Sequence, residues 1–154
     1  MSSIFENAMG KKETLDDTYL FIGRVNSLNN SFQAKADMYF EEISWKQVFL
    51  LGCIAMFDEP PTIRDISNLA KSTHQNVTQL LSKLVKNGFV YFQPDDTDHR
   101  KQRVILTSKA QQFYEQHNES IDQLIKNLFA TIDPAELKIA LKVIAQLTKA
   151  VNSL

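Results

Sequence analysis

Along most of the chain, apolar residues recur every three or four positions, the period of an amphipathic helix, and that rhythm breaks only once. In the first stretch, Leu15, Tyr19, Ile22, Val25, Leu28, Phe32, Ala36 and Tyr39 form one stripe, which predicts a helix over residues 14–40. At ~1.5 Å per residue such a helix would be about 40 Å long, more surface than its own chain can easily cover. A second helix is predicted from Ser44, where Ser44 and Gln47 have capping-box spacing and Ile43 with Val48 forms a hydrophobic staple. Its residues 48–57 are apolar nearly all round, which predicts a buried central helix, and the run Asp58-Glu59-Pro60-Pro61 ends it.

Two short helices follow. Thr62 and Asp65 open the third with another capping box, and Ile63, Ile66, Leu69 and Ala70 are its expected buried face. After the tight connection Lys71-Ser72, a box of Ser72 and Gln75 is expected to start the fourth, with Val77, Leu80, Leu81, Leu84 and Val85 buried. Gly88 stands at its C-terminal cap position. Here the period changes. Residues 89–93 and 103–107 are rich in β-branched and aromatic side chains and flank a polar segment, 94–102, which predicts a hairpin with a long charged tip. A fifth helix after Thr107 carries Ala110, Phe113, His117, Ile121, Leu124 and Leu128 on one face. The sixth opens at Asp133-Pro134-Ala135-Glu136, with a cap residue, a proline at the first helical position and Glu three residues after the cap. Leu137, Ala140, Ile144, Leu147, Val151 and Leu154 run along it.

The fold class expected is therefore mainly α with a small β-hairpin wing: a winged helix-turn-helix with additional helices. The 154 residues fit one domain, with residues 44–107 as the winged lobe. The single cysteine, Cys53, excludes an intrachain disulfide framework and fits a reducing cytoplasm. The N-terminal MSSIFENAMGKKE lacks a signal peptide's apolar core, and the ten-residue apolar run 48–57 is too short for a bilayer of ~20 residues' depth. A soluble, cytoplasmic protein with no membrane partner is expected.

The second helix of a helix-turn-helix can enter the major groove of DNA. On helical angles Gln75, Asn76, Gln79, Ser82 and Lys86 point away from the buried stripe, flanked by Thr78 and Lys83. Gln and Asn can pair bidentately with adenine, and Ser and Thr can reach bases or phosphates. An amphipathic helix always has a polar face, so this feature alone equally fits a solvated surface. The hairpin tip adds Arg100, Lys101 and Arg103 beside Asp98; an arginine at a projecting tip suits a narrow minor groove. Asp98 is placed to hold Arg100 by a charge-assisted contact.

These motifs resemble the MarR (multiple antibiotic resistance regulator) family of transcription factors. The most specific part is Asp95-x-x-Asp98-x-Arg100-x-x-x-Val104-x-Leu106-Thr107, which is similar to the family's wing signature. Val77-Thr78 with Leu80, Leu84 and Gly88-Phe89-Val90 is similar to its recognition helix and exit. The resemblance implies a homodimer on double-stranded DNA, with residues 14–40 and 108–154 as dimerisation helices. It also implies Arg100 in the minor groove and the fourth helix in the major groove. The DNA-contacting set expected is Ser72, Thr73, His74, Gln75, Asn76, Thr78, Gln79, Lys83, Asp98, Arg100, Lys101 and Arg103. The family further implies a repressor of a pseudo-palindromic operator, released by a small aromatic or amphipathic effector; Tyr39, Trp45 and Phe49 are candidates to line its pocket. The chain departs from the family's habit at Asp96 (usually proline), His99 and Gln79 (often arginine) and Ala110 (usually glycine).

Charge first opposes and then supports this picture. The total is −1, which argues against a nucleic-acid binder. Residues 62–107, however, hold seven basic and four acidic side chains, while the remainder holds 10 basic and 14 acidic. The tip carboxylates Asp95 and Asp96 are expected to be solvated. No Cys, His and carboxylate set has zinc-site spacing, no glycine-rich phosphate loop or catalytic triad is present, and neither an enzyme nor a cofactor or metal is expected. His74 reads as a phosphate or surface contact and His117 as a packing residue. Two alternatives stay open: a winged-helix protein-interaction module without DNA binding, and a redox-sensing regulator acting through Cys53.

Overall fold

The computed structural model describes residues 16–154. The expected helix start at Thr14, together with Leu15 and the N-terminal MSSIFENAMGKKE, lies outside the described residues. Within them the order is α1 (Asp17–Ala36), a 3₁₀ turn (Asp37–Tyr39), α2 (Trp45–Ala55), α3 (Ile63–Ala70), α4 (His74–Lys86), β1 (Val90–Pro94), β2 (Gln102–Leu106), α5 (Ser108–Phe129) and α6 (Pro134–Val151). The fold is mostly helical with one antiparallel hairpin, as the patterning predicts.

The chain divides into two compact units, one ending at Gln112 and one from Phe113 to Leu154. In the first, α2 packs against α1, α3, α4 and β2, and α4 also meets β1. Its core is Leu50, Leu51, Ile54, Ile66, Val77, Leu81, Leu84, Phe89, Val90 and Val104, each nearly or wholly buried. In the second, α5 stacks the His117 ring on Phe113 at 4.2 Å between centroids, as a packing histidine should. Asp133 caps α6, accepting from the Ala135 N–H at 2.7 Å, with Pro134 at the first helical position.

Several boundaries move. The long first helix stops at Ala36, and the Asp37 carboxylate, at 2.5 Å, accepts the N–H of Trp45. Helix α2 ends at Ala55, two residues short of Phe57, and its burial is one-sided: Phe49 and Met56 are exposed. On α3 only Ile66 is fully buried, because an eight-residue helix can turn just one narrow stripe inward; Leu69 is exposed. The cap of α4 is Thr73, not Ser72: Thr73 Oγ1 accepts the Asn76 N–H at 3.2 Å, while Ser72 Oγ accepts from the Asn76 side chain at 2.7 Å. Val85, assigned to the buried stripe of α4, is exposed. Both strands shift by one residue, because Phe89 closes the α4 terminus with its N–H on the Leu84 carbonyl at 2.9 Å. Gly88, at φ +76°, makes that reversal.

Candidate nucleic-acid interface

The turn between α3 and α4 is set locally. Thr62 and Asp65 bond reciprocally, the Thr62 N–H to the Asp65 carboxylate at 2.9 Å and the Asp65 N–H to Thr62 Oγ1 at 3.3 Å. The Thr62 hydroxyl, then its N–H, holds the Asp65 carboxyl below its ordinary range. Lys71 adopts the left-handed conformation at φ 50°, and the Ser72 N–H returns to the Ser67 carbonyl at 3.1 Å. That reversal sends α4 off with His74, Gln75, Asn76, Gln79, Ser82, Lys83 and Lys86 all exposed. Some of these side chains are already engaged. Thr78 Oγ1 donates to the His74 carbonyl at 2.8 Å and Ser82 Oγ to the Thr78 carbonyl at 2.9 Å. Gln75, Gln79 and Lys83 make no side-chain hydrogen bond among the described residues, which leaves their full donor and acceptor capacity for a partner.

The wing is fixed at its base and bare at its tip. Strand register pairs Gln93 with Arg103 and Pro94 with Gln102, and residues 95–101 form the turn. Thr107 ties the returning strand to the end of α4, donating from its hydroxyl to the Gly88 carbonyl at 2.7 Å. Asp98 accepts the Arg100 N–H at 3.2 Å and has Lys101 Nζ at 3.4 Å, but Arg100 Nε lies 3.8 Å away. The Arg100 side chain is 98% exposed. Asp98 therefore shapes the loop under Arg100 more than it grips the guanidinium.

Asp95 departs from expectation. It is only 5% exposed, not solvated. Its Oδ1 accepts the Thr97 N–H, the Thr97 hydroxyl and the Asp98 N–H at 3.0, 2.7 and 2.9 Å, and its Oδ2 faces Arg103. The Thr97 hydroxyl, the Asp98 N–H and the Arg103 guanidinium hold its carboxyl far below the usual carboxylate range. Asp96 is exposed.

A cleft of about 580 Å³ lies between the wing and the α3–α4 pair. Its lining holds the cations Arg64, Arg100, Lys101 and Arg103 and the His74 imidazole, against one carboxylate, Asp65. Hairpin and helices thus gather four of the sequence-predicted residues onto one concave surface. Arg64 was not among them. Its position one residue before the Asp65 of a capping box is the signal that could have found it, since the first turn of α3 faces the same side as the start of α4.

None of the pocket candidates lines the cleft at the wing. Trp45 packs edge-on against Phe32 (4.9 Å) and stacks with Phe40 (6.3 Å), while Tyr39 and Phe49 are exposed. Cys53 is buried among apolar side chains, and desolvation pushes its thiol up, away from the thiolate. Among the described residues no group of three or more His, Cys, Asp or Glu could hold a metal ion. No described helix is long and apolar enough to cross a membrane.

A capped helix pair with a left-handed turn, an exposed polar second helix and a hairpin beyond it define a winged helix-turn-helix protein. Residues 42–101 match the sequence model of the MarR family. That match falls on the winged lobe and covers less than half of the chain. A MarR protein from Peptoclostridium difficile is similar over 94% of this chain and 93% of its own, at 21% identity and a TM-score of 0.79. MepR of S. aureus, solved as a DNA complex, is similar over 92% of this chain and 100% of its own, at 25% identity and a TM-score of 0.73. The PcaV regulator of Streptomyces coelicolor, solved with its natural ligand, shares 14% identity at a TM-score of 0.79 over 90% of this chain and 99% of its own. A search of curated proteins found no match.

Proposed function

We propose that this protein is a homodimeric, cytoplasmic, sequence-specific DNA-binding regulator that represses a pseudo-palindromic operator. The observation that carries this is the cleft: a bare arginine tip projects beside a concave surface lined by Arg64, Lys101 and Arg103 at the start of α4, whose Gln75, Gln79 and Lys83 are exposed. α4 enters the major groove with Gln75, Asn76, Thr78, Gln79 and Lys83. Ser72, Thr73, His74 and Arg64 meet the sugar-phosphate backbone, and Arg100 reaches the adjacent minor groove with Lys101 beside it and Asp98 shaping the loop. MepR, built on the same fold, is solved on DNA, which supports the docking mode.

The helices at 14–40 and 108–154 dimerise the chain. In support, α6 has no buried residue, and Ile139 is 63% exposed; on α1, Leu28 is 68% exposed. Side chains of this kind need a partner surface, and a second copy supplies it. A small aromatic or amphipathic effector is the further reading, supported by the ligand complex of PcaV and by the buried Gln47. The Gln47 carbonyl oxygen accepts the Ser44 N–H at 3.0 Å, while its amide nitrogen has no hydrogen-bond partner among the described residues. The interaction-module alternative rests on the near-neutral total charge, on Gln79 and on the acidic Asp95 and Asp96 of the wing; the internal pairing of Asp95 removes one of these grounds. The thiol environment of Cys53 equally weakens the redox alternative.

Selection of bound genomic fragments, followed by mobility shift at several salt concentrations, tests the function. The expected result is a palindromic site bound with steep salt dependence. Absence of any specific, salt-sensitive binding would favour the interaction module.

A further inference from the structure

Arg103, counted with the DNA-contacting residues on sequence grounds, has its side chain spoken for. Its Nε and Nη2 both lie 2.5 Å from Asp95 Oδ2, and its Nη1 donates to the Pro60 carbonyl at 3.0 Å. The backbone repeats the connection: the Val104 N–H bonds the Pro61 carbonyl at 2.9 Å, and Thr62 and Arg103 form an isolated β-bridge. Thr62 is the cap of α3. The other Asp95 oxygen holds the Thr97 and Asp98 N–H groups, and Asp98 in turn holds the Arg100 N–H. One continuous path of short bonds therefore runs from the start of α3, through Arg103 and Asp95, to the loop under Arg100.

We propose that Arg103 and Asp95 form a strut that fixes the wing tip relative to the helix-turn-helix, so that Arg103 is a positioning residue acting through Arg100 and not a DNA contact. The proposal rests on the DNA-binding reading and assigns its parts differently. Drawing the guanidinium onto a phosphate would strand a carboxylate that is 5% exposed, and a buried charge without its partner is costly. Holding the tip before DNA arrives lowers the ordering cost of binding, because the loop is already in its bound geometry.

The two roles predict opposite signs for Asp95→Asn. If Arg103 touches DNA, the substitution frees its guanidinium and removes a negative charge facing phosphates, so affinity rises or holds. If the pair is a strut, affinity falls, although the amide can still accept the turn's N–H bonds. We expect Asp95→Asn and Arg103→Gln each to weaken operator binding about tenfold, ~1.4 kcal/mol. Arg103→Lys, which keeps the charge but cannot fork, should fall between. In an Arg100→Ala background Arg103→Gln should cost less than about twofold, because a residue acting through Arg100 loses its effect with it. Amide exchange of the free protein reads the strut without DNA: the Thr97, Asp98 and Lys101 amides should exchange faster in Asp95→Asn while the α2 core stays protected. Tighter or unchanged DNA binding by Asp95→Asn, equal cost of Arg103→Gln in both backgrounds, or unchanged exchange at the tip would each overturn the strut. Failure of the wild-type chain to bind any DNA would instead overturn the functional reading, and the exchange arm would still decide the strut.

Discussion

Arg100 carries the largest single burden of the proposed interface. Its side chain is 98% exposed, and the nearest carboxylate oxygen is 3.8 Å from its Nε, so little within the chain competes for it. Arg100→Ala should weaken operator binding by about tenfold or more and lower the salt slope by roughly one unit, since one fewer cation displaces counterions. A titration series between low and moderate salt measures both; an unchanged slope would remove Arg100 from the DNA. Asp95 makes a different, intramolecular contribution. Its folded-state pKa lies below the unfolded one, so its stabilisation is complete above about pH 3.9 and is lost as pH falls toward the depressed folded value. Urea unfolding at pH 5 and pH 3 should show a smaller acid-induced loss for Asp95→Asn than for the wild-type chain.

Short elements depend on their ends. α3 has eight residues and one fully buried side chain, so its cap contributes a large share of its stability. Thr62→Ala removes an Oγ1 that both accepts the Asp65 N–H and donates to its carboxylate at 2.7 Å. A loss of about 1 kcal/mol is expected by denaturant unfolding. At the end of α4, Gly88 has φ +76°, and an added Cβ would meet nothing closer than Lys109 Cδ at 4.0 Å. The expected cost of Gly88→Ala, about 1–2 kcal/mol, is therefore conformational and not steric. These ends were legible in the sequence because capping chemistry is local: Thr62 with Asp65, Asp133 with Pro134, Gly88 after Lys86. The errors were local too. Ser72 and Thr73 are adjacent and chemically alike, and only the backbone decides which one caps. The Asp95–Arg103 bridge was illegible for a different reason. The two residues are eight apart, and they meet only through the hairpin register and the turn that Asp95 itself builds.

For the molecule as a whole, the stripes on α1 and α6 were legible as apolar faces, but a sequence does not say what covers them. Within the single chain Ile22, Leu28, Ile139, Leu141 and Val151 remain exposed. Apolar surface returns about 25 cal/mol for each Å² removed from water, so leaving these stripes bare forgoes several side chains' worth of stabilisation. The charge pattern points the same way. Residues 62–107 carry a net +3, modest for one DNA-binding surface. Two copies double it and can meet half-sites one helical turn apart, roughly 34–36 Å. We therefore expect light scattering at micromolar concentration to give twice the 17.6 kDa of the chain. Ile144→Glu, which places a charge on the exposed face of α6, should shift the species toward monomer. Operator affinity should then fall much further than any loss of fold, because each lobe is left to bind its half-site alone and the second contact is no longer held near its site. The winged lobe itself should keep its protected amides in α2 and α4. A wild-type chain that is monomeric at these concentrations, or an Ile144→Glu variant that stays dimeric with full affinity, would place the self-association surface elsewhere.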